Sequence, residues 1–238
     1  MIEPARRVAD LPPYVFLELQ GWRERAIARG VDVIDLSVGN PDGEVPRSAL
    51  KALAVALDQD PAVHGYPAFR GTEELRDAIV TWYRTRFGVE LDPDREVLPV
   101  LGSKEGLYHL MQAFLDPGDT ILVPTPCYPA YLGAARLCGA TPVTVALRED
   151  RDFVLDFADV PSESARAARA LILNYPHNPT GAIASRDHYR EAVAFARDHD
   201  LLLISDIPYS ELALDDGIEP PSALQFAGAR AVTVELQS

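Results

Sequence analysis

An α/β fold, built on a mostly parallel sheet with helices on both faces, is what this sequence predicts, and three observations predict it. Short apolar runs of strand length, such as Ala170-Leu-Ile-Leu173 and Leu201-Leu-Leu-Ile204, lack the alternation of a half-exposed strand, so both faces of the sheet must be covered. Segments of helical periodicity separate these runs in a repeated strand, loop, helix rhythm. Polar clusters sit just past strand ends: Gly102-Ser103, Asn174 and Asp206 each follow an apolar run. Open parallel sheets gather their ligands at those carboxyl ends.

The elements follow in order. Val15, Leu19, Trp22 and Ala26 recur at helical spacing over 14–29, and Gly30 is a natural stop. A short strand over 33–36 runs into the Gly/Pro turn that ends at Pro41. Pro46 opens a helix whose stripe is Ala49, Leu50, Leu53 and Leu57. Thr72 reads as the N-cap of the next helix, with Glu73 and Glu74 favoured by the dipole in its first turn. That helix runs to Phe87 and stops at Gly88. Beyond it the spacing predicts strands at 97–101, 120–123, 142–146, 170–173, 201–205 and 231–236, and helices at 104–115, 129–138 and 186–199. Residues 162–169 read as a polar connector.

Composition narrows the function. A chain of 238 residues with 47% apolar and 24% charged residues is ordinary for a soluble globular protein with one core and part of a second lobe. The net charge of −14 argues against nucleic acid or an anionic membrane as a partner. No apolar run reaches the ~20 residues of a membrane span. Residues 1–10 lack the apolar core of a secretory signal, and two cysteines, Cys127 and Cys138, make no disulfide framework. A cytoplasmic location is the expectation. His64, His109, His177, His188 and His199 show no metal-ligand spacing, so no metal is expected.

Chemistry concentrates in two stretches, Asn174-Tyr-Pro-His-Asn-Pro-Thr-Gly181 and Ser205-Asp206-Ile-Pro-Tyr209. Asn178 on a tight turn, with Asp206 and Tyr209 three apart past a neighbouring strand, can grip a pyridine ring by its edge. The amide and phenol reach a ring hydroxyl, and the carboxylate pairs with a protonated ring nitrogen. Read blandly, Asn178 builds a turn and Asp206 caps the segment after it. Ser103 and the first N–H groups of the helix after Gly102 can hold a phosphate, although they also suit an ordinary helix start. Tyr128, between Pro126 and Pro129, offers a flat stacking surface or a buried, rigid tyrosine. Cys127 reads as packing. Lys51 and Lys104 are the two lysines, and neither looks placed for covalent chemistry with an aldehyde.

On these residues, and from about Tyr14 to the last residue, the sequence resembles the class I/II aminotransferases of the type I pyridoxal phosphate fold. Within them it is similar to the LL-diaminopimelate and N-succinyldiaminopimelate aminotransferase group. The resemblance implies a three-layer large domain over 46–238, preceded over 1–45 by an arm, a helix and part of a small domain. It implies pyridoxal 5'-phosphate as coenzyme, with Ser103 and Lys104 in the phosphate loop and Tyr128 stacked on the ring. Asn178 and Tyr209 would hold the ring hydroxyl, and Asp206 the ring nitrogen. Gly39 would lie in the loop that closes on the substrate carboxylate. Tyr66 would reach the coenzyme phosphate of a neighbouring subunit, which makes the expected assembly a homodimer.

Ser238 matches the first serine of the family's Ser-Leu-Ser-Lys segment, so the Schiff-base lysine would fall three residues beyond it. The expectation is therefore the front part of an aminotransferase, inactive alone, whose whole protein passes an amino group from an amino acid to a 2-oxo acid. In the family's sheet a later strand runs antiparallel between the equivalents of 97–101 and 231–236. These two segments should then face a gap and leave the isolated chain unstable or aggregation-prone. Three alternatives stand beside this reading. They are a catalytically dead binding or regulatory module that keeps the pocket, a C–S lyase or synthase of the same fold, and an unrelated nucleotide-binding domain. The last has no glycine fingerprint after the first strand to support it.

Overall fold

A computed structural model describes residues 2–9, 11–37, 39, 43–212 and 217–238. The chain enters through α1 (Arg6–Ala9), α2 (Val15–Ala28) and α3 (Arg47–Gln59), none of which buries a residue. The stripe expected of α3 is present but faces solvent: Leu50, Leu53 and Leu57 are each about half exposed. Residues 33–36, expected as a strand, form no regular secondary structure and join no sheet among the described residues.

Burial begins in α4 (Glu73–Phe87). Thr72 caps it, its Oγ1 accepting from Leu75 N at 3.2 Å, and Gly88 ends it in the left-handed region at φ 67°. Val80, Tyr83 and Phe87 of α4 pack with Val89 and Ile207. The remainder alternates as read: α5 (Ser103–Phe114), β1 (Thr120–Thr125), α6 (Pro129–Leu137), β2 (Thr141–Ala146), α7 (Ser162–Ala167), β3 (Ala168–Asn174), α8 (Arg186–Asp198), β4 (Leu202–Asp206) and β5 (Thr233–Leu236). The expected connector at 162–169 is thus partly helical, because Ala165 of α7 is buried in the core under the sheet.

All five strands are parallel, in the order β2-β1-β3-β4-β5. Strand periodicity divides their side chains between two cores. Ile121, Val123, Ala170, Ile172 and Ile204 meet Leu107 and Met111 of α5 and Tyr131, Ala134 and Ala135 of α6. Leu122, Leu171, Leu173 and Leu203 meet Tyr189, Ala192, Val193 and Ala196 of α8, a stripe at helical spacing. Each fully buried leucine or isoleucine contributes about 1.5–3 kcal/mol over its exposed state. The result is three layers, with both strand faces covered, as the unbroken apolar runs demand.

The expected strand at 97–101 does not form. Residues 97–100 have no regular secondary structure, the chain bends at Leu101, and Leu98 and Leu101 are exposed. Among the described residues β5 pairs with β4 alone, so its other edge is free. A groove of about 1670 Å³ separates the two segments, walled by Val97–Val100 on one side and Thr233–Ser238 on the other. A strand needs a ladder partner, and the groove holds none for either segment.

Candidate active site

The parity of β3 and β4 sets the site. Asn174 shares a face with Ile172, and Asp206 shares one with Ile204, so both side chains end their strands on the α5/α6 side. They are register partners across the β3–β4 ladder. Asn174 Nδ2 donates to the Asp206 carbonyl at 2.8 Å, and Asn174 Oδ1 accepts from Asn178 N at 2.8 Å. One buried amide therefore ties both chemical stretches together. The turn behind Asn178 closes through Gly181 N to His177 O at 2.7 Å, with Gly181 at φ 74°, a conformation that suits glycine. Asn178 Nδ2 then reaches Tyr209 Oη at 3.3 Å.

Asp206 is 6% exposed, and its two oxygens differ. Oδ2 accepts from Tyr131 Oη at 2.6 Å, whereas Oδ1 is buried with no hydrogen-bond partner among the described residues. Burial pushes this carboxyl up to about 6, and the Tyr131 hydrogen bond pulls the other way. A buried acceptor without a donor is costly unless a ligand supplies one. Oδ1 is therefore suited to a donor such as a protonated ring nitrogen. Tyr128 stands beside this pair, its ring edge-on to Tyr131 with centroids 5.6 Å apart.

Lys104 lies at the start of α5, its Nζ 5.5 Å from the Tyr128 ring centroid and 5.8 Å from that of Tyr14. The Tyr128 hydroxyl, foremost, holds this ammonium above its usual range. Ser103 is the first residue of α5, after Gly102 at φ 90°. The N–H groups of this first turn have no earlier helical carbonyl to bond, which leaves them for an anion.

The sequence-predicted residues thus fall into two sets. Asn178, Asp206, Tyr209 and Tyr128 are linked by contacts, with Lys104 against Tyr128 and Ser103 beside it. Ser238 lies past β5 on the wall of the groove, which Ser103 also lines. Tyr66 projects fully into solvent and Gly39 is exposed. Gly39 is flanked by Val38 and Asn40, which lie outside the described residues. Sequence reasoning missed Tyr131 and the bracing role of Asn174. Tyr131 follows Tyr128 by three in the first turn of α6, a spacing that places two residues on one helix face. Asn174 ends the strand that the apolar run announces, but its bond to Asp206 depends on register. Among the described residues no cluster of side chains could hold a metal ion, and no helix is long and apolar enough to cross a membrane.

Comparison with known proteins bears on the family and the fold. The family model for aminotransferase class I and II matches residues 31–238. An LL-diaminopimelate aminotransferase from Desulforudis audaxviator is 46% identical over 234 residues, covering 98% of this chain and 59% of the relative. Among solved structures, substrate-bound BacF from Bacillus subtilis superposes with a TM-score of 0.91 at 35% identity, over 100% of this chain and 60% of its own. A probable N-succinyldiaminopimelate aminotransferase from Thermus thermophilus gives 0.88 at 43% identity, over 94% of this chain and 60% of its own. The chain spans about 60% of the length of the relatives it matches. With the same three-layer sheet, and a family model over most of its length, this chain belongs to the class I and II aminotransferases.

Proposed function

We propose that the whole protein is a pyridoxal phosphate-dependent aminotransferase acting on diaminopimelate or a related amino acid, with a 2-oxo acid as acceptor. The single observation that carries this reading is the free, buried Oδ1 of Asp206 beside the Asn178–Tyr209 pair. Class I and II aminotransferases use pyridoxal phosphate. When bound, that coenzyme supplies an electron-withdrawing ring that stabilises negative charge at the substrate α-carbon. Asp206 would accept a hydrogen bond from the protonated ring nitrogen and, ionised, would keep the proton there. Asn178 and Tyr209 would hold the ring hydroxyl, and Tyr128 would cover one ring face and exclude water from it. Ser103 and the first turn of α5 would bind the phosphate, with Lys104 as a neighbouring counter-charge.

Lys104 is a poor covalent anchor. Its tyrosine contacts hold it protonated, and an ammonium has no lone pair to attack an aldehyde. Lys51 lies on the exposed helix α3, away from the site. Coenzyme therefore binds this chain without a covalent bond, and amino transfer belongs to the whole protein. The exposed Tyr66 and Phe69, at the approach to α4, support a homodimer in which a second copy covers them. The diaminopimelate preference rests on the names of the relatives.

The test has two parts. The whole protein should transfer an amino group from diaminopimelate to 2-oxoglutarate, and absence of transfer from any amino-acid donor would overturn the reading. The 238-residue chain should bind pyridoxal phosphate reversibly. Asp206→Ala should weaken that binding roughly 10- to 100-fold. A borohydride-reducible adduct on this chain would instead point to Lys104 or Lys51 and contradict the non-covalent assignment.

A further inference from the structure

We propose that Tyr131 is the positioning residue for Asp206, dictating which carboxylate oxygen faces the coenzyme ring nitrogen and keeping that carboxylate an acceptor. The inference rests on the coenzyme reading above. It begins from an asymmetry. A carboxylate at the end of a strand can turn about its last torsion and present either oxygen. Here α6 removes that freedom: Tyr131, 2% exposed, places its hydroxyl 2.6 Å from Oδ2, and Oδ1 alone remains for a ligand. The Tyr131 ring also stands at 87° to that of Tyr128, so one residue braces both the ring-nitrogen partner and the stacking surface.

The surroundings make this bond decisive for ionisation. The titratable groups that interact with Asp206 are Tyr131 from α6 and Tyr189 from α8. Neither is a cation. Burial acts to keep Asp206 protonated, and a protonated carboxyl cannot hold a ring-nitrogen proton. Among the described residues the Tyr131 hydroxyl is the one side chain that donates to the carboxylate, and a short bond to an ionised acceptor is a strong one. Tyr131 touches neither reacting atoms nor, in this reading, the coenzyme, so its action passes through Asp206.

The experiment is an infrared pH titration of the carboxyl band that Asp206→Asn removes, in the coenzyme-free protein and in Tyr131→Phe. Tyr131→Phe keeps the buried ring and deletes the hydroxyl. The expected result is a titration midpoint raised by roughly one to two pH units. With ¹⁵N-labelled pyridoxal phosphate at fixed pH, the ring-nitrogen resonance should move in Tyr131→Phe from the protonated toward the unprotonated position. An unmoved midpoint in folded Tyr131→Phe overturns the proposal. If that variant does not fold, the unsubstituted protein carries the test, since a tyrosine C–O band must shift in step with the Asp206 band. A tyrosine spectrum silent through that titration overturns it too. If the midpoint moves but neither protein binds the coenzyme, the coenzyme reading itself has failed, and the assignment of Tyr131 toward a ring nitrogen falls with it.

Discussion

At the scale of single residues, Asp206 is the point where structure and chemistry conflict. In the coenzyme-free chain its carboxyl titrates near 6 instead of the ordinary 3.8 because burial disfavours the charge. The folded state therefore prefers the protonated form. The stability linked to this group is intact below about pH 4 and is lost as pH rises through about 6. Asp206→Asn cannot ionise, so relative to the unsubstituted chain it should gain up to about 3 kcal/mol between pH 4 and pH 7. Urea unfolding at the two pH values measures the difference. Pyridoxal phosphate should reverse the order at pH 7 by pairing the carboxylate. A difference that does not vary with pH would show that Asp206 titrates normally. The grouping of Asn178, Asp206 and Tyr209 was legible in the sequence because they sit in short motifs just past apolar runs. Tyr131 was not, since a tyrosine three residues into a helix looks like any core aromatic until its partner on β4 is placed beside it.

At the scale of elements, β5 is held by one carboxylate. Glu235 accepts from Tyr83 Oη of α4 at 3.1 Å, Ser205 Oγ of β4 at 3.0 Å, Ser222 Oγ at 2.6 Å and Ala223 N at 2.9 Å. Four donors from three directions converge on it, and burial raises its titration above the usual carboxylate range. Glu235→Ala would strand these donors, each worth about 1–3 kcal/mol when buried without a partner. The expected loss is at least about 3 kcal/mol, read as a lower denaturation midpoint. A loss below about 1 kcal/mol would mean that water or a rearrangement satisfies the donors. Nothing in the run Thr233-Val-Glu-Leu236 announces this junction, because its donors come from parts of the chain as far apart as Tyr83 on α4 and Ser222 and Ala223. The helix limits at Thr72 and Gly88, by contrast, were legible, since caps depend on a few neighbouring residues.

At the scale of the whole molecule, surface is the dominant fact. The chain exposes 15496 Å², whereas a self-contained globule of its 26.0 kDa exposes about 10,500 Å². The excess includes Leu36, Tyr66 and Phe69, each nearly or fully exposed, together with the free edge of β5 along the groove. Unpaired strand edges beside apolar surface recruit other chains. The 238-residue chain should therefore associate in a concentration-dependent way in sedimentation velocity, despite its charge of −14. Val234→Lys on β5 should reduce that association. A single monomeric species with a sharp, reversible melt would contradict the prediction.

By itself the sequence determined the layered α/β architecture, the capped helix limits and the polar motifs past β3 and β4. All of these arise from local causes: apolar periodicity, caps, turn residues and the polarity change at strand ends. Tertiary structure alone decided the rest. It left 97–101 without a ladder, turned the stripe of α3 toward solvent, and gave Asp206 one satisfied oxygen and one free. Hydrogen bonds between strands, burial and the direction of a carboxylate depend on which distant segment arrives opposite, and that is a property of packing rather than of spacing along the chain.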